Sequence, residues 1–138
     1  MAKSNSLEAL SVRLTLRSKE VVINTERIVR RAAVAADGAL ILTTPVDTGR
    51  ARGNWNVSVG HVNTEVRELN FPDQGGAISE GQSALGAWRL GSGTIFIANS
   101  LPYILSLENG SSAKAPSGMV QHAMLAARQQ VAVGRLLD

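Results

Sequence analysis

Across residues 19–42 the apolar side chains Val21, Ile28, Ala32, Ala35, Ala39 and Leu42 recur on one face of a helix, while Glu20, Glu26, Arg27, Arg30, Arg31 and Asp37 read as its polar side. Pro45 sets the end of that helix, because it lacks a backbone donor and pushes Thr44 out of the α region. At about 1.5 Å per residue the helix spans roughly 36 Å, the diameter of a small domain, so everything else in the chain has to pack along it. Its alanine-rich second half lets another element come close. A separate short helix is expected over residues 6–17 from Leu7, Leu10 and Leu14, against a competing strand reading in which Val12, Leu14 and Leu16 alternate with Arg13 and Thr15.

After the stop comes Thr43-Thr44-Pro45-Val46-Asp47-Thr48-Gly49-Arg50-Ala51-Arg52-Gly53-Asn54-Trp55, a rigid corner. Thr44 with Asp47 fits a capping box, and Asp47 or Thr48 could equally cap a short turn through Arg52. Trp55, Val57 and Val59 alternate with polar residues as a half-buried strand does, and residues 61–68 are expected to pair back onto it around Gly60. The glycine-rich stretch 70–93 reads as an exposed excursion with a short helix over 77–88. Residues 94–99 form a β-rich run, expected as a central strand. Ser100 and Pro102 open a short helix over 101–108, which Asn109-Gly110 stops. A last helix over 118–133 should bury Val120, Met124, Ala127 and Val131 and end at Gly134. The fold class is α+β: a long N-terminal helix and a C-terminal helix packed on a small, mainly antiparallel sheet, in one domain spanning 1–138.

Chemistry is sparse. There is no cysteine, so disulfides and thiolate catalysis are excluded. His61 and His122 fall on different elements without a ligand spacing, which argues against a metal site. Gly91-Ser92-Gly93 precedes a strand, whereas phosphate-cradling loops follow one. Glu65 and Glu68 lack the apolar shielding that a general acid needs. No catalytic residue, metal or cofactor is therefore expected, and the chain is not read as an enzyme.

Charge gives a direction. The net charge of +3 arises in residues 1–44, where seven Lys/Arg face four Asp/Glu; the remainder balances at seven against seven. Such a bias fits a solvated helix face, or else contact with nucleic acid or an acidic protein surface, and a basic face lining a channel could touch passing DNA without base readout. The aromatic residues are too few and scattered for a base-stacking platform. Trp55 is expected in the core, while Trp88 is divided between core and interface. No apolar run is long enough to cross a bilayer and residues 1–8 lack a leader pattern, so synthesis in the cytoplasm is expected.

Four strings considered together extend this reading. The corner TPVDTGRARGNW at 44–55 is followed by IFIANSLPYI at 95–104, LENGS at 107–111 and APSGMV at 115–120. Their order and spacing resemble the neck and tail-completion proteins of long-tailed bacteriophages over nearly the whole chain. Ala113 stands where that family more usually has glutamine. The resemblance maps one hallmark to Pro45, Asp47, Thr48, Gly49 and Arg50, with Arg52 and Trp55 in the same string. The second maps to Asn99, Pro102, Tyr103, Glu108 and Gly110. It implies a virion subunit forming a ring, commonly six-fold, between the head-side connector and the tail tube, with DNA passing through and no membrane partner. Arg50 and Arg52 then become candidates for locking neighbouring subunits, and Arg27, Arg30 and Arg31 for facing the lumen or an interface. A tail terminator ring capping the tube, and a basic nucleic-acid-binding module, are the alternatives.

Overall fold

A computed structural model describes residues 6–45, 50–68, 74–109 and 118–137. Its axis is α1, Leu7–Thr43, a single helix where two were expected. Between residues 6 and 37 there is neither proline nor glycine to break it. The polar residues at the anticipated junction are absorbed by the helix itself: the Thr15 hydroxyl donates to the Ser11 carbonyl at 3.0 Å and Ser18 to Thr15 at 2.8 Å. Ser6 caps the start by accepting from Ala9 N–H at 3.1 Å. With 37 residues, α1 runs roughly 55 Å at about 1.5 Å per residue.

The helix ends where proline demands. Thr44 is its C-cap and adopts an extended conformation; the capping expected of Thr44 with Asp47, or of Asp47 or Thr48, falls on residues outside the described ones. A single turn follows, α2, Arg50–Gly53. The next elements are β1 (Asn56–Val59), α3 (Gln74–Leu85), β2 (Ile95–Ala98), α4 (Ile104–Glu108) and α5 (Met119–Val133).

β1 and β2 form a two-stranded antiparallel sheet with Asn56 opposite Ala98 and Val59 opposite Ile95. Gly60 N–H donates to Thr94 O at 2.8 Å just past the ladder. β1 is thus paired across the glycine-rich excursion, not with 61–68 as expected, and β2 has one strand neighbour among the described residues instead of being central. Residues 61–68 run as irregular chain held by side chains: Asn54 Nδ2 donates to Arg67 O at 2.8 Å, Asn54 Oδ1 accepts from Arg67 N–H at 2.6 Å, and Asn56 Nδ2 donates to Glu65 O at 2.7 Å. Asparagine amides satisfy the backbone that a ladder would otherwise satisfy.

α5 lies antiparallel along the second half of α1. Met119 meets Thr44 at one end, Asn24 Nδ2 donates to Leu136 O at 2.9 Å at the other, and Gly134 sits against Ile28. A Cβ at Gly134 would fall 2.6 Å from Ile28 Cγ1, so glycine here permits close approach while also capping α5. The expected buried stripe is corrected. Val120, Met124 and Val131 are exposed and only Ala127 of that stripe is half-buried, whereas Met119 and Ala123 are buried with Ala126 and Gln130 half-buried. Small residues on both helices explain the choice, because alanines facing the alanine-rich stretch of α1 let the backbones approach as larger side chains would not. The core proper joins Leu40, Ile41, Trp55, Ala77, Met119 and Ala123. The architecture is the expected α+β arrangement: a long N-terminal helix and a C-terminal helix with a small antiparallel sheet.

Candidate functional site

The corner is organised around Thr44. Its hydroxyl accepts from the Trp55 indole N–H at 2.9 Å, donates to Leu40 O and touches Met119 Sδ at 3.3 Å; its carbonyl accepts from Arg52 Nε at 3.0 Å. One threonine thereby joins the end of α1, α2, the start of β1 and the start of α5. Thr44 is 1% and Trp55 9% exposed, so the expected core position of Trp55 is observed. Pro45 is buried beside them.

Asn99, just past β2, ties the second string to the first. Its Nδ2 donates to Ala51 O at 2.9 Å while its Oδ1 accepts from Leu101 N–H at 3.1 Å. Glu108 serves the last helix. Its carboxylate accepts from Val120 N–H at 3.2 and 3.3 Å in the first turn of α5, and its carbonyl accepts from Gly118 N–H at 2.9 Å. A carboxylate at a helix N-terminus satisfies an otherwise orphan donor and opposes the positive end of the helix dipole. Pro102 and Tyr103 are exposed at the entry to α4. Asp47, Thr48, Gly49 and Gly110 lie outside the described residues.

The candidate locking arginines already have partners within the chain. Arg50 pairs with Glu68 at 3.0 Å, and Arg52 holds Thr44 O with its pKa lowered by burial. Among the candidate lumen residues, Arg30 reaches across to Trp88 O at 2.7 Å and to Glu26 at 3.6 Å, and Arg27 donates to Asn24 Oδ1 at 3.3 Å. Arg31 is exposed on the rim of a shallow cleft shared with Arg30, Val34 and Leu85. Trp88 is a core residue, 9% exposed, with its indole N–H donating to Gly93 O at 2.9 Å. His61 and His122 are exposed, and the described residues hold no group of three or more side chains suited to a metal ion. No helix among them is long and apolar enough to cross a membrane.

Asp37, read from sequence as part of the polar face, is only 2% exposed. Burial, with the nearby Glu80 carboxylate adding to it, pushes its pKa up to about 7. Oδ1 meets no hydrogen-bond partner, and Oδ2 presses on α3 at Gly81, where a Cβ would lie 2.0 Å away. Glu80 is itself paired with Arg67 at 2.5 Å. The only sequence signal for Asp37 is an acid set among alanines three residues before Leu40.

Apart from Asp37, the feature that stands out is exposed apolar surface. In the first half of α1, Leu7 is 85%, Leu14 62% and Leu16 60% exposed; on α5, Met124 is 67% exposed. Beside Met124, α4 and α5 border an open groove of about 680 Å³, reached by Glu108, Val120, Leu125 and Arg128. Comparison with family models, curated proteins and solved structures finds no match to this chain.

Proposed function

We propose that the chain is a structural virion subunit that forms a ring at the head-tail junction of a long-tailed bacteriophage, joining the head-side connector to the tail tube and leaving a passage for DNA. The observation that carries this reading is the pair of large apolar faces, on the first half of α1 and the outer side of α5, attached to a body stiffened by both resembling strings. Contiguous apolar surface of this kind marks protein contact. The strings supply a scaffold: Thr44 and Asn99 bind corner to sheet, and Glu108 fixes the outer helix. The basic residues favour the nucleic-acid module less, since Arg17, Arg27 and Arg30 are engaged by Glu20, Asn24 and Trp88.

Electron microscopy of a phage lysate lacking this protein tests the proposal. Filled heads lying separate from tails of normal length are expected. Overlong tail tubes would transfer the assignment to a tail terminator, and normal infectious particles would overturn both.

A further inference from the structure

The first half of α1 is an arm. The C-terminal end of the described chain packs at Asn24, where Leu136 O accepts the side-chain amide, and residues 7–23 continue beyond it for roughly 25 Å at about 1.5 Å per residue. This arm is built to the same pattern as the covered half. Leu7, Leu10, Leu14 and Val21 continue, in helical register, the stripe of Ile28, Ala32, Ala35 and Ala39, of which Ile28 meets the end of α5 at Gly134 and Ala39 packs on the core that holds Met119 and Ala123. Val12, Leu16 and Ile23 continue the opposite stripe of Val34 and Ile41, which faces α3 and the core. A helix apolar on two sides belongs between partners, and along the arm both sides are open.

We infer that the arm of one copy docks on the outer face of α5 of the next, along Val120, Met124 and Val131 and into the groove beside α4. The occupant is a second copy because both open apolar surfaces, the arm and the outer face of α5, belong to this one chain, and because their lengths agree: α5 has 15 residues and spans about 22 Å. Charge does not draw the two surfaces together, since α5 carries Arg128 and no acid and the arm has a slight basic excess; apolar burial holds the contact, and added salt does not dissolve it. Arm and groove are different surfaces, so the contact is head-to-tail and repeats into a ring when the rotation closes. The inference rests on the ring-subunit reading and names the contact that the ring would use.

The cysteine-free chain allows a direct test. Leu14→Cys and Met124→Cys are made as separate full-length variants, mixed and oxidised. A disulfide-linked dimer formed at least tenfold more from the mixture than from either variant alone is expected, together with wild-type oligomers by light scattering that persist in 0.5 M salt. Leu14→Glu should be monomeric with an unchanged circular dichroism spectrum. Equal linking by Met124→Cys alone, or assembly that survives Leu14→Glu, overturns this contact and leaves the ring reading standing. A chain that stays monomeric at every concentration also overturns the contact, while the lysate experiment judges the function separately.

Discussion

The two halves of α1 carry the same kind of side chain on the same two stripes and meet opposite fates. In the second half Leu40 is 5% and Ile41 1% exposed; in the first, Leu10 is 43%, Leu14 62% and Leu7 85% exposed. Local sequence does not separate them. Both halves are helical, and the arm has its own supports in the Ser6 cap and the Arg17–Glu20 pair at 3.0 Å. The difference is reach: α5 and α3 cover only the second half, and the described chain ends beside Asn24. An isolated helix of the arm's length would be marginal in water, so it is propagated from the packed half, which has already met the cost of nucleation. Apolar periodicity states that a face wants a partner; it does not state whether that partner lies in the same chain.

The packed half should fail abruptly where α3 touches it. Gly81→Ala would set a methyl group against Asp37 Oδ2, and the separation of 2.0 Å is too short for a small adjustment. Asp37 is only 2% exposed, so its carboxylate has little room to swing aside, and a loss of up to about 3 kcal/mol is expected. Urea denaturation checks it. Wild-type stability would show that α3 is free to slide on α1, and the contrast between the halves would then be one of degree.

Much of this was legible beforehand, and the failures have physical causes. Pro45 locates the end of α1 within a residue, and the Asn99-to-Glu108 segment places the ends of β2 and of α4, although α4 opens at Ile104 without a side-chain cap and not at Leu101 behind Ser100 as expected. Residues 61–68 were misread because valines four apart mimic a strand face, while the amides of Asn54 and Asn56 supply the pairing instead. On α5 two apolar stripes compete, and hydropathy alone favours the larger. The structure buries the smaller, because close packing against alanines depends on size as well as hydropathy. Asp37 was missed since helical periodicity places an acid on a polar face unless another element covers it, and the covering residue, Gly81, lies far along the chain. The faces left open on the arm and α5 became visible only once the interior was known.

Asp37 offers a smaller and reversible way to perturb the same contact. Its pKa is about 7 in the folded chain against 3.8 for the free side chain, so the folded state holds its proton after the unfolded state has released it. The neutral acid's contribution to stability is therefore complete below about pH 4, declines as pH rises, and is lost once pH passes about 7. Asp37→Asn imitates the protonated form at every pH. It should add on the order of 2 kcal/mol at pH 8 and almost nothing at pH 4, flattening this part of the pH profile. Parallel denaturation curves at the two pH values test the sign. An equal gain at both would mean that Asp37 is not the titrating group.

The smallest effect is expected on the arm, and it sharpens the contrast most. Leu16 is 60% exposed and no other element among the described residues covers it, so Leu16→Ala should remove little packing from the monomer. Alanine also favours helix at least as well as leucine does. At concentrations low enough to keep the chain monomeric, the change in unfolding free energy should stay within about 0.5 kcal/mol. The same substitution in the buried half of the helix would open a cavity and cost about 2–5 kcal/mol. A large loss at Leu16 under monomeric conditions would show that the arm folds back onto the body in solution, which would remove the surface that a neighbouring copy is proposed to occupy.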